Sequence, residues 1–228
     1  MKYYKVLKED GRCCNGGTGK WYLPEKLADG TWKPGKWMPK IEGDLEPCEN
    51  GYHICRPDDL VYWLDEAIFE VKCSGEIVKS EDKCVVRRAR LLRRVETWTE
   101  RTARLFAADC AEHALSNFEN KYPDDDRPRK AIQAARDYAN GLISESELIE
   151  MRSASSAASA ARSAAWYARS AAWYAVGSAA WYAAWYARSA AWYAVGSAAR
   201  SAAWYAASAE RKWQIGKLFE YLEEPYEA

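Results

Sequence analysis

The sequence predicts an α+β protein: a small N-terminal mixed α/β module at 1–95, a helical segment at 96–150, and an all-α tail at 151–228 carrying a long Ala-rich, Trp/Tyr-striped helical repeat. Three observations lead there. Short β-type runs alternate with Gly and Pro punctuation over the first part of the chain. Long stretches free of proline follow, with capping signals at their edges. Residues 151–209 then hold 26 Ala, 11 Ser, six Trp, six Tyr and five Arg, with no Pro, Leu, Ile or Lys. Alanine is the strongest helix former, so helix is the regular structure that this composition favours.

Taken in order, Tyr3–Leu7 reads as a first strand, and the stretch from Asp10 to Pro47, with Gly-Gly-Thr-Gly at 16–19 and four prolines, as mostly loop. Pro57, Asp58 and Asp59 open a short helix through Leu64, because proline suits a first turn and acids favour the positive end of the helix dipole. Ile68–Ser74 and Lys83–Leu92 read as two strands joined by a turn near Ser80–Asp82. A long helix is expected from Thr99 or Glu100 to Tyr122, burying Leu105, Ala108, Cys110 and Leu115. Asp124–Asp126 precede a second helix, which starts at Arg127-Pro128 and ends at Asn140-Gly141. Ser144 and Glu147 have capping-box spacing.

Ala164–Ala180 recurs unchanged as Ala183–Ala199, which marks the tail as an internal duplication. Tryptophan falls at Trp166, Trp173, Trp181, Trp185, Trp192 and Trp204, and four of the six follow an arginine by four residues: Arg162, Arg169, Arg188 and Arg200. On a helix that spacing lays a guanidinium over an indole, worth roughly 0.5–2 kcal/mol. Each large ring brings roughly 150–250 Å² that needs cover. These residues are therefore the expected partner-binding set, with a protein partner or a second copy of the chain as occupant. Gly177 and Gly196 mark where the repeat would fold back if it is not one rod. Trp213, Leu218, Phe219 and Leu222 resume an amphipathic pattern and are expected to dock as a C-terminal cap.

Composition excludes some functions. With 33 Lys+Arg against 33 Asp+Glu the formal charge is zero, so there is no global attraction to nucleic acid, and the run Arg87, Arg88, Arg90, Arg93, Arg94 is expected to find partners among Glu70, Glu96 and Glu100. No apolar run long enough for a membrane anchor appears near the opening Met1-Lys2-Tyr3, which predicts no membrane partner and a cytoplasmic location. An odd count of seven cysteines fits reduced thiols there. The densest reactive cluster is Cys48, His53 and Cys55, with Cys13 and Cys14 upstream. Its spacing is unlike a zinc finger, so buried side chains in a strand are expected over a metal site. A catalytic Cys/His pair would need a third, orienting group. The Gly-rich stretch at 16–19 does not match a phosphate-binding loop. No cofactor, metal or catalytic residue is expected.

Three segments carry a resemblance: Cys48–Leu64, Glu96–Leu115 and Asp124–Gly141. Over nearly its whole length the chain resembles proteins of actinobacteria and their phages that pair such an N-terminal module with an Ala/Trp/Arg-rich tail, a likeness that brings no activity with it. Thr99–Gly141 is similar to an immunity-protein family associated with polymorphic toxins, which implies helices and a non-enzymatic binding function. Gly51–Leu60 is similar to the strand-then-helix segment of small ADP-ribosyltransferase-like domains. That likeness implies the alternative reading: His53 facing a nucleotide, with Glu70 or Glu76 as the catalytic glutamate. The chain lacks the Ser-Thr-Ser strand motif of those enzymes, so the likeness implies their fold more than their activity.

Overall fold

The computed structural model describes residues 2–14, 16–120, 123–148 and 208–223. Residues 1–106 with 212–228 form one compact unit and residues 107–211 a second.

The first unit is built on a curled antiparallel sheet. Its strands are β1 (Tyr3–Leu7), β4 (Tyr52–Ile54), β5 (Ala67–Lys79) and β6 (Cys84–Arg94), in the order β1-β5-β6-β4, while β2 (Glu25–Lys26) and β3 (Trp32–Lys33) form a separate two-stranded ribbon. The long β5–β6 pair slips register between Glu70 and Val71 and again between Ser74 and Ile77, where Gly75 takes φ +88°. Extra residues on one strand of a pair bend and twist it, and here the bending brings the two outer strands together. Tyr4 N–H donates to the Cys55 carbonyl at 2.9 Å and Cys55 N–H to the Tyr4 carbonyl at 2.8 Å, an antiparallel rung that joins β1 to the end of β4. The sheet is a half-barrel held shut at that rung, which removes unpaired edge there. Farther along β6, the carbonyls of Arg87, Ala89 and Leu91 accept from Ile41, Met38 and Gly35, so the loop at 35–41 runs along the strand and satisfies its outer polar groups.

Both faces of the sheet are apolar, as expected of strands covered on each side. Inside the curl lie Leu7, Ile54, Phe69, Val86 and Leu91, closed over by Trp21 and Met38 from the loop. Alternation puts Tyr4, Ile68 and Val85 on the opposite face, all fully buried. There the helix at 208–222 supplies Leu218, Phe219 and Leu222, with the Phe219 ring edge-to-face against Tyr4 at 5.9 Å and the Leu222 carbonyl accepting from Thr97 Oγ1 at 2.8 Å. Burying each of these large side chains contributes roughly 1.5–3 kcal/mol.

The N-terminal region is thus not the mixed α/β module that the sequence predicts. Its one helical element between β4 and β5 is a short 3-10 helix, η1 (Pro57–Tyr62). Proline and acids do start it, but Trp63 Nε1–H donating to the Asp82 carbonyl and the Arg56–Asp59 pair hold it to little more than a tight turn. After the sheet come α1 (Glu100–Glu119) and α2 (Arg127–Ala139), and then a helical turn at 145–148 at whose start Ser144 and Glu147 exchange the expected capping bonds. No long Ala-rich helical repeat stands among the described residues. The repeat expected from 151 falls almost entirely on 149–207, outside them, and with it Trp166, Trp173, Trp181, Trp185, Trp192, Trp204, Arg162, Arg169, Arg188 and Arg200.

Within the second unit, α1 and α2 are linked by charge. Arg136 Nη2 donates to Asp109 at 2.7 Å and to Glu112 at 2.5 Å, and Arg129 makes a two-pronged pair with Glu119 at 2.8 Å. Leu115 and Ala134 are buried there, and His113 Nδ1 lies 2.9 Å from Glu210. Among the described residues no helix is long and apolar enough to cross a membrane.

Candidate functional site

Just past the Tyr4–Cys55 rung, β1 and β4 diverge and leave a cleft of about 320 Å³. Its walls come from five places in the chain: Lys5 and Val6 on β1, Cys13, Cys14, Gly16 and Gly17 on the following loop, Cys48 before β4 with His53, Ile54 and Cys55 on and just after it, Trp63 after η1, and Lys83 before β6. The cysteine and histidine cluster singled out in the sequence therefore does converge in space.

His53 is placed by the turn that precedes it. Glu46 and Asn50 exchange two backbone hydrogen bonds of 2.9 Å, and the Asn50 amide donates to the carbonyls of Glu42 and Asp44, so the loop tip is fixed. At the tip Cys48 adopts φ +71°, uncommon for a residue with a Cβ, and its N–H donates to His53 Nε2 at 2.9 Å. With Nε2 accepting, the neutral ring carries its proton on Nδ1. Between the two, Gly51 has φ +133° and passes so close to β6 that a Cβ would meet Val85 Cγ1 at 2.2 Å. Only glycine lets β4 pair in this position.

A second anchor sets the opposite wall. Arg56 grips the buried Asp59 carboxylate with Nε at 2.6 Å and Nη2 at 2.9 Å, and Nη2 also donates to the carbonyls of Ser80 and Glu81 at 3.0 Å. Through that clamp and the Trp63–Asp82 bond, η1 is tied to the β5–β6 turn. Lys83 follows directly, its ammonium 4.8 Å over the Trp63 ring.

The cleft is electropositive. No Asp or Glu is among its lining residues, and burial lowers the His53 pKa, with Lys5 and Lys83 adding to the effect. Burial also acts to lower the Lys83 pKa but is outweighed by Cys48 and Asp82, so the ammonium is held charged. The thiols are mostly poor nucleophiles: burial pushes Cys55 up to about 12 and raises Cys14, whose Sγ–H donates to the Val6 carbonyl at 3.4 Å. None of the seven cysteines is joined in a disulfide.

This geometry bears on the candidate chemistries. Among the described residues no group of three His, Cys, Asp or Glu side chains is placed to hold a metal ion. Glu70 and Glu76, the candidate catalytic glutamates, do not line the cleft; they pair with Arg93 at 2.8 Å and with Arg87 at 3.1 Å. The arginine run is likewise occupied, since Arg94 pairs with Glu9 and both Arg88 and Arg90 stack on Trp37 at 5.1 and 4.9 Å. Lys5, Trp63 and Lys83 carry no signal in the sequence, being ordinary strand and turn residues that meet only because the sheet curls. What the arrangement offers is a largely apolar recess bordered by two lysines, with the His53 imidazole in its lining.

Comparison with known proteins divides the chain in a similar way. The family model described as a domain of unknown function, DUF7666, matches residues 1–102, which include the half-barrel and its cleft. No curated protein and no solved structure matches the chain. The family model described as Imm-5 like putative immunity protein matches residues 93–221, 129 of the 228, and therefore takes in α1, α2 and most of the helix at 208–222. By that match over more than half its length, the chain belongs to the Imm-5 like putative immunity protein family.

Proposed function

We propose that the chain is a non-enzymatic interaction protein of the immunity type, which binds a toxin protein and blocks it through residues 93–221. The family match over that span carries the reading. The ion pairs from Arg136 to Asp109 and Glu112 support it, because they fix two helices into a pre-organised surface, and pre-organisation lowers the entropy lost on binding. The side chains best suited to the contact are the aromatic and arginine residues of the matched span, Trp166, Trp173, Trp181, Trp185, Trp192 and Trp204 with Arg162, Arg169, Arg188 and Arg200. Trp, Tyr and Arg dominate the energetics of protein interfaces. The same residues would serve self-association, as a homo-oligomer that opens on meeting its partner.

The cytoplasm of a bacterial cell, with or without a phage as the source of the gene, suits this reading. Seven free thiols, Cys13 and Cys14 adjacent among them, persist in a reducing compartment. The ADP-ribosyltransferase-like alternative centred on His53 is less well supported, because its candidate glutamates are engaged elsewhere on the sheet.

Growth rescue tests the proposal. A candidate toxin protein is expressed in a bacterial host with and without the full chain. Restored growth together with a stoichiometric complex by light scattering is the expected result. Continued arrest in the presence of soluble, folded chain contradicts it.

A further inference from the structure

The half-barrel lies largely outside the span that carries the immunity reading, and its cleft has a chemistry of its own. We propose that the β1/β4 cleft is a binding site for a small organic anion, a carboxylate or phosphate head on an apolar body, held by Lys5 and Lys83. Four observations point there.

The cleft's volume of about 320 Å³ falls at the lower end of the range for small-molecule sites, roughly 300–1,000 Å³. Its charge is only partly compensated: Lys5 makes no ion pair among the described residues and rests 5.3 Å from the Trp21 ring, while Lys83 pairs with the neighbouring Asp82 carboxylate at 3.6 Å and interacts with Cys48. The Lys83 side chain is 14% exposed, so its charge is presented at the end of a covered stem. The remaining walls are neutral and apolar, from Val6, Ile54 and Trp63 together with the protonated thiols of Cys14 and Cys55.

Position is the third point. Lys5, His53 and Lys83 all line the one cleft, so both cations border the same recess as the imidazole. With Nε2 accepting from Cys48 N–H, the neutral ring carries its hydrogen on Nδ1, so the cleft is bordered by two ammonium groups and one imidazole N–H. Fourth, two of the lining residues are Gly16 and Gly17. A Cβ on Gly16 would meet nothing within 4 Å, and Gly16 has φ +85°, so bare backbone borders the cleft where a ligand would pass.

The head group's identity separates in the test. Full-length protein is titrated calorimetrically with octanoate, octyl phosphate, neutral octanol and inorganic phosphate, all below micellar concentrations. The expected result is that one or both amphiphilic anions bind, while octanol and inorganic phosphate bind at least roughly tenfold more weakly. Lys5→Met and Lys83→Met, which keep the apolar stem, each lower the anion affinity by roughly tenfold with the circular dichroism spectrum unchanged. The stronger of the two anions names the head group. Octanol binding as tightly as octanoate, affinity retained in both variants, or binding of neither anion overturns the proposal. None of these outcomes depends on toxin neutralisation, so failure here is distinguishable from failure of the immunity reading.

Discussion

Tyr4 and Cys55 exchange backbone hydrogen bonds of 2.9 and 2.8 Å across 51 residues of chain, and this rung both closes the sheet and defines where the cleft begins. It also buries the Cys55 side chain at the cleft floor while Cys48, five residues from His53, stays exposed. Alkylation should separate them. With iodoacetamide at mildly alkaline pH, mass spectrometry is expected to find Cys48 modified first and Cys55 and Cys84 last, since burial raises both of the latter thiols. Equal modification of Cys48 and Cys55 in the folded protein would show that the rung is open.

The Arg56–Asp59 clamp sets the wall that carries Trp63 and Lys83. The Asp59 side chain is only 4% exposed, so Arg56→Met leaves a buried carboxylate without its partner, which costs about 3–5 kcal/mol. Urea denaturation is the measurement. Adding Asp59→Asn to that variant should recover much of the loss, because a neutral amide is cheaper to bury than a charge. A clamp variant as stable as the parent would mean that the turn at 80–83 is held by other contacts.

Glycine at 51 is required by space and by backbone together. Gly51→Ala combines a strained φ with a Cβ driven into Val85, and is expected to destabilise by at least about 2 kcal/mol. Gly30→Ala is the comparison, since Gly30 also has a positive φ, 83° against 133°, but nothing within 4 Å of the added carbon. Near-equal effects of the two substitutions would contradict the close approach of β4 to β6.

His53 gives the first unit a pH dependence of known sign. Burial, with Lys5 and Lys83, holds its folded-state pKa below the ordinary 6.5, so below that pH the unfolded chain takes up the proton more readily than the native one. The stability is complete above pH 6.5 and declines as pH falls from there through the lower folded-state value. His53→Gln, whose side-chain carbonyl can accept from Cys48 N–H, should flatten this part of the profile. An unchanged slope would assign the acid sensitivity to carboxylates.

Local signals in the sequence mark out several elements. Tyr3–Leu7 is a strand with the bounds that its pattern suggests, and Ser144–Glu147 makes its capping bonds. The sequence reading ends one strand at Ser74, before Gly75, whereas β5 continues to Lys79 because a bulge absorbs the glycine. The curl is less accessible to reasoning of this kind, since it arises from two register slips and a rung between distant residues. The cleft shows the same division: Cys48, His53 and Cys55 lie close in sequence and attract notice, while Lys5 and Lys83 become neighbours only through non-local pairing. The Arg87–Arg94 run finds Glu70, a partner that its pattern suggests, but also Glu9, Glu76 and Trp37, which reach it only through the folded sheet.

The immunity reading makes one claim that hydrogen exchange can check residue by residue. The full chain is compared alone and in complex with the toxin protein that it neutralises in the growth assay. Slowed exchange concentrated in 93–221, with the half-barrel strands unchanged, is the predicted pattern. Protection confined to residues 1–92, or no protection anywhere at saturating toxin, would contradict the account.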